Sequence, residues 1–119
     1  MSLALQHFPK AQEAKLPFYG DYKNLYIGDT VSSTKDDPVA PLTSGFFRAE
    51  AGAKTTSTYT YFEVKLVVEG DLIVSDGTGQ KVNAVAGDVL YFPKGATITF
   101  ESKNGGAAFY VGQRAQKFE

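Results

Sequence analysis

An all-β fold of many short strands, closed into a sandwich or a barrel, is what this chain of 119 residues predicts. Three observations carry that expectation. From Ser44 onward, short runs rich in Val, Ile, Phe, Tyr and Thr follow one another with no helical stretch between them. Turn signals separate them at Gly70-Asp71, Asp76-Gly77-Thr78-Gly79, Pro93-Lys94-Gly95 and Asn104-Gly105-Gly106. Within the runs, apolar and polar residues alternate, which is the period of a strand with one buried face.

Taken in order, residues 1–43 read as an arm and first strand that pack on a barrel formed by residues 44–119. In the arm, residues 9–15 suit a helical turn or two, residues 22–31 alternate as a strand, and residues 32–41 are loop, with Asp36-Asp37-Pro38 and Pro41. Residues 45–50 form a Phe-rich strand, and residues 57–61 a second after a small polar loop. Residues 63–69 alternate, and Gly70-Asp71 turns them into a further strand at 72–75. The Asp76–Gly79 turn returns the chain into residues 81–86. Residues 88–92 and 96–102 flank Pro93-Lys94-Gly95, and residues 107–113 close the series. Each Gly-rich turn sits between two strands with no helix start after it, so none is a phosphate loop.

Composition narrows the function classes. The length suits one domain, which buries roughly two-thirds of its unfolded surface and so holds one core. Twelve basic and thirteen acidic residues leave a formal net charge of −1, so neither nucleic acid nor an anionic membrane is an expected partner. Cysteine is absent, which excludes disulfides, zinc ribbons and thiol nucleophiles and suits a reducing, cytoplasmic setting. No apolar run approaches the ~18 residues of a membrane span. Met1-Ser2-Leu3-Ala4-Leu5 is too short and uncharged for a signal peptide.

Gly87-Asp88-Val89-Leu90-Tyr91-Phe92-Pro93-Lys94-Gly95 sets a glycine, five residues and Pro-x-Gly in one frame, read as a turn, a half-buried strand and a turn. Before it come Ser44-Gly45-Phe46-Phe47-Arg48-Ala49-Glu50 and Tyr61-Phe62-Glu63-Val64-Lys65-Leu66-Val67-Val68-Glu69-Gly70; Ala96-Thr97-Ile98-Thr99-Phe100 follows. In this order and spacing, over residues 44–112, the sequence resembles the EutQ-like single-domain cupins, the family of the ethanolamine-utilisation protein EutQ. The resemblance implies a jelly-roll β-barrel, a small-molecule ligand inside it and pairing as a homodimer. The arm, or the strand around Val64, Leu66 and Val68, is expected to contribute to that contact, since open jelly rolls expose edges. Fold alone chooses no reaction, because cupins host isomerases, epimerases, lyases, dioxygenases, decarboxylases and plain binding modules.

The resemblance also supplies a metal test. Metal-binding cupins carry two histidines, then an acidic residue, then a histidine three residues after the Pro-x-Gly turn. Glu63 matches the acidic place, residues 57–60 are Ser, Thr, Tyr and Thr, and the last place is Ile98. One carboxylate with neutral hydroxyls is a poor site for a transition metal, which needs several converging donors. No metal and no other cofactor is therefore expected. The single histidine, His7, lies in the arm. The family pattern has Tyr-Asp-Glu followed two places on by an acid; here those places are Phe62 and Lys65, which inverts the local charge.

If Glu63 points inward as its family counterpart does, alternation brings Lys65 and Val67 inward and sends Val64, Leu66 and Val68 out. Tyr59 and Tyr61 share the Glu63 face unless a bulge intervenes, and Ile98 and Phe100 also face in. Either Phe47 or Arg48 faces the cavity, because they alternate; Tyr91 is a further lining candidate. Asp71 and Asp76 lie in turns and should be solvated.

Glu63, Lys65 and Tyr61 are thus the candidate catalytic set, with Tyr59, Arg48, Phe47, Tyr91, Ile98 and Phe100 as ligand-binding candidates. Glu63 would move a proton, and a phenol would donate to a substrate carbonyl. That chemistry reads as a metal-independent isomerase, epimerase or lyase. The alternatives are a non-catalytic ligand-binding or accessory cupin, and the carboxylate-kinase activity the resemblance implies, for which no nucleotide-binding loop is visible. A bland reading makes Glu63 and Lys65 an exposed ion pair at the barrel mouth, worth little. Glu63→Gln or Lys65→Met should leave stability nearly unchanged, because neither group anchors the apolar core.

Overall fold

A computed structural model of the chain describes residues 3–118, so Met1 and Ser2 of the opening segment lie outside the described residues. Eight strands follow in chain order: β1 (Leu25–Ser32), β2 (Thr43–Ala49), β3 (Lys54–Thr58), β4 (Glu63–Asp76), β5 (Lys81–Val85), β6 (Val89–Phe92), β7 (Thr97–Glu101) and β8 (Gly106–Gly112). Among the described residues helix is limited to one 3₁₀ turn at Ala11–Glu13, within the stretch expected to form a helical turn or two. Among the described residues no helix is long and apolar enough to cross a membrane.

All pairings are antiparallel, in the order β1-β2-β8-β4-β7-β3, with β5 and β6 also paired to β4. The jelly-roll barrel is present, and β4 closes it. Its first half pairs with β6 and β8, and its second half with β5 and β7, so one strand belongs to both sheets. The turn expected at Gly70-Asp71 is therefore a corner inside a continuous strand. The register slips between Val67 and Glu69, the mark of a bulge that bends a strand. Gly70 sits at φ 60°, where a Cβ would run into the Gly105 carbonyl. A glycine at a corner and a glycine at a turn look alike in sequence because both need the left-handed region.

Alternation decides what is inside. On β2, Thr43, Gly45, Phe47 and Ala49 are buried, while Ser44, Phe46 and Arg48 face out. On β4, Glu63, Lys65 and Val67 are buried, and Val64 and Leu66 are not. Leu25, Ile27, Val67, Leu72, Val74, Phe92, Ile98, Phe100 and Tyr110 join Phe47 in the core between the sheets. The strand expected at residues 57–61 lies earlier, at Lys54–Thr58, so Tyr59 and Tyr61 are on the connection that follows it. There the Tyr59 amide donates to the Ala96 carbonyl and the Gly95 amide donates to the Tyr59 carbonyl. Backbone bonds to the Pro93–Gly95 turn hold this connection in place of a ladder.

Residues 17–22 and the segment around Phe118 both return to one mouth of the barrel. The Tyr19 amide donates to the Leu25 carbonyl and the Ile27 amide to the Pro17 carbonyl, laying residues 17–22 beside β1. The Asp29 amide donates to the Phe118 carbonyl from the same strand.

Candidate functional site

The floor of the barrel cavity is a charged pair on an apolar bed. Glu63 and Lys65 are the first and third residues of β4, so the pleat aims both side chains inward. Their side chains are 3% and 2% exposed, and Lys65 Nζ lies 2.9 Å from Glu63 Oε2. That contact is off the line of a hydrogen bond, so Oε2 is buried with no hydrogen-bond partner. Three rings box the ammonium: Nζ is 4.6 Å from the Tyr110 centroid, 5.2 Å from Phe47 and 5.6 Å from Phe100. Cation–π attraction and Glu63 favour its charge, yet burial is the larger influence and lowers the Lys65 pKa from its ordinary value. The pair is not the exposed one at the mouth that the bland reading supposed.

Above the pair the cavity measures about 150 Å³ and is lined by Ile27, Phe47, Tyr59, Tyr61 and Phe100, with Thr55 and Ser57 adding hydroxyls. A cavity of that size holds a molecule like benzene, of about six heavy atoms. The rings of Tyr59 and Tyr61 meet edge to face at 5.4 Å. Burial first, and then the Glu63 charge, push the Tyr59 phenol far above its ordinary value. The same two causes, opposed by Arg114, raise Tyr61 to about 12. Both phenols are therefore protonated hydrogen-bond donors at neutral pH. Gly112 makes room beside them, since a Cβ there would stand 3.2 Å from both Glu63 Oε1 and the Tyr61 ring.

The mouth is built by residues the sequence did not single out. Tyr19, Lys117 and Phe118 line it, and the rings of Tyr19 and Phe118 meet edge to face at 5.6 Å. Asp29 on β1 ties the tail down. It accepts from Arg114 at 2.8 Å, from the Tyr110 hydroxyl at 2.6 Å, and from the amides of Lys117 and Phe118 at 2.7 and 2.8 Å. Arg114 in turn lies 5.5 Å from the centroids of Tyr61 and Tyr110. Asp29 and Arg114 are 85 positions apart, and no local pattern links them. The one signal was the alternation along β8, which carries Tyr110 inward.

Of the nine candidates, Glu63, Lys65, Tyr59, Tyr61, Phe47 and Phe100 line this one cavity. Ile98 is buried too but lines a smaller neighbouring hollow with Val74, Leu90 and Phe92. Arg48 is a correction: it faces out and pairs with Glu69 at 2.7 Å, because Phe47 takes the inward place. Tyr91 is another, 60% exposed and opposite Val64 on the outer face. His7 is exposed in the arm.

The donors do not suit a cupin metal. Among the described residues no three His, Cys, Asp or Glu side chains converge, and the carboxylate that remains already faces an ammonium.

The sequence model of the family described as ethanolamine utilisation protein EutQ matches residues 21–117. The chain belongs to the EutQ family. Over 85 residues it is 36% identical to the acetate kinase EutQ of Escherichia coli (strain K12), covering 71% of this chain and 35% of that protein. It thus spans well under half the length of that relative. Among solved structures it is similar to an ethanolamine utilization protein Q from Salmonella typhimurium LT2 (32% identity, TM-score 0.65, covering 77% of this chain and 71% of the other). A cupin superfamily protein from Desulfitobacterium hafniense DCB-2 has the same fold (14% identity, TM-score 0.68, covering 92% and 91%). Within the EutQ family this chain is a cupin barrel with a lysine beside its cavity carboxylate.

Proposed function

We propose that the barrel takes in a carbonyl-bearing molecule of about six heavy atoms and moves a proton on it without a metal, with Glu63 as the base. The observation that carries this reading is the Glu63 carboxylate, buried with Lys65 as its ion-pair partner at the floor of an aromatic cavity. A buried ion pair is often no more stabilising than an apolar pair of the same volume. That fits a pair kept for a ligand.

In this reading Glu63 removes a proton from the carbon next to the carbonyl. Negative charge gathers on the carbonyl oxygen, where Lys65 and the phenols of Tyr59 and Tyr61 donate. Returning the proton elsewhere gives isomerisation or epimerisation; losing a neighbouring group gives elimination. Lys117 at the mouth favours an anionic or neutral molecule. Phosphoryl transfer, the activity in the name of the longer relative, draws no support here. Its phosphates need a cradle of backbone amides or a helix start, and the glycine turns of this chain join strands. We also propose a homodimer through the outer face of β4, β6 and β8.

The experiment is proton NMR in deuterated buffer with a panel of small aldehydes, ketones and 2-oxo acids, with a chelator present. Glu63-dependent loss of the signal next to the carbonyl is expected, slowed by roughly 10²–10⁴ in Glu63→Gln. Binding without exchange across the panel would leave a binding module instead, and exchange that needs added metal would overturn the metal-free step.

A further inference from the structure

We propose that Lys65 is a covalent nucleophile that forms an imine with a small aldehyde or ketone in the barrel cavity. This rests on the carbonyl reading above and adds a bond to the protein that proton transfer does not require.

Geometry points to it first. Lys65 Nζ ends at the cavity floor, and a proton acceptor, Glu63, stands 2.9 Å away. The other ionisable groups around this cavity are the phenols of Tyr19, Tyr59, Tyr61 and Tyr110, Lys117 at the mouth and, beyond the rings, Arg114. The tyrosines stay neutral, so Glu63 is the group placed to hold the Nζ proton. Arg114 and burial both work against a second positive charge in this space. For a purely structural pair arginine is the better residue, because its fork satisfies a carboxylate with two bonds. Lysine reaches Glu63 through the single Oε2 contact and offers what arginine cannot, an amine with a lone pair once its proton is lost.

The step balances without an outside reagent. Glu63 accepts one proton from the ammonium, and the freed amine attacks the carbonyl carbon. The carbonyl π pair moves to oxygen, which takes the proton back from Glu63. A second nitrogen proton passes through Glu63 to the hydroxyl, which departs as water, and a C=N bond replaces C=O with the third proton still on nitrogen; no electrons are gained or lost overall. Protonated, the imine keeps a cation where the ammonium had one, between Glu63 and the rings of Phe47, Phe100 and Tyr110. Tyr19 and Phe118 at the mouth limit water that would hydrolyse it.

The test is reductive trapping of the full chain at neutral pH with limiting propanal or acetone and sodium cyanoborohydride, mapped by peptide mass spectrometry. Lys65 should be alkylated severalfold faster than exposed Lys54 and Lys81, since its lowered pKa leaves more free amine at neutral pH. Lys65→Arg, which keeps a cation at this place but has no amine to add, should abolish the fast labelling and leave Lys54 and Lys81 unchanged. Labelling confined to exposed lysines would overturn the imine. The exchange assay run on the same samples separates the two readings. Exchange without a Lys65 adduct removes the imine and keeps proton transfer; an adduct without exchange does the reverse; neither signal removes both.

Discussion

Lys65 and Glu63 are each 2–3% exposed on a strand whose other inward residue nearby is Val67. Two charges in that setting make a residue-scale prediction opposite to the one from sequence. Lys65→Met strands a buried carboxylate, so unfolding in urea should show a loss of about 3–5 kcal/mol. Combining it with Glu63→Leu should return most of that, since an apolar pair of similar volume needs no compensation. The expectation of unchanged stability from sequence supposed that neither group anchors the apolar core, whereas both are buried in it. The pH dependence has a definite sign. The folded-state pKa of Lys65 is below 10.5, so the unfolded chain holds the proton more tightly between the folded value and 10.5. Stability should therefore rise with pH through that window, and the rise should be missing in Lys65→Met, as urea melts at a series of alkaline pH values will tell.

At the scale of elements, β1 and the tail after β8 form one unit through Asp29. Burial alone would raise the Asp29 pKa, but Arg114, the Lys117 amide, the Tyr110 hydroxyl and the Phe118 amide together hold it below its ordinary 3.8. A carboxylate with a depressed pKa contributes stability that is present above the unfolded value and lost as pH falls through the folded one. The clamp should thus hold at neutral pH and let go only in acid below 3.8. Hydrogen exchange at the amides of Lys117 and Phe118, which donate to Asp29, should accelerate there while the amides of β4 stay protected. Asp29→Asn, which keeps the shape and removes the charge, should open the tail at neutral pH; unchanged exchange would show that packing of Phe118 alone suffices.

The whole molecule carries an apolar band on its outer face. Val64 is opposite Tyr91, and Leu66 is opposite Val89 on β6. On β8, Val111 and Phe109 are the partners of Val64 and Leu66, and Phe109 meets Phe46 of β2 at 5.3 Å between ring centroids. Val64, Leu66, Val89 and Tyr91 are all exposed. A contiguous patch of this kind exceeds the scattered apolar residues of ordinary surfaces and suits a second copy of the same face. Light scattering at micromolar concentration should give twice the chain mass, and Leu66→Lys should return it to one; a monomer mass for the unaltered chain would sink the proposal.

The residues by themselves determined that the chain is all-β, a sandwich or a barrel, that residues 87–95 are a strand between turns, and that Glu63 and Lys65 share one face. Each of these follows from a period of two and from turn chemistry, which act over a few neighbours. Alternation also meant that either Phe47 or Arg48 would face the cavity, without saying which. Only the tertiary structure decided that. Phe47 is opposite Ala108 across the β2–β8 ladder and fills the interior, leaving Arg48 to Glu69 outside. It likewise made the Gly70 corner part of one strand. It also set Tyr59 and Tyr61 off the ladder yet over the cavity, and brought Asp29 to Arg114. Those contacts join positions far apart in the chain. Packing of the whole sheet selects them, and no local propensity encodes them.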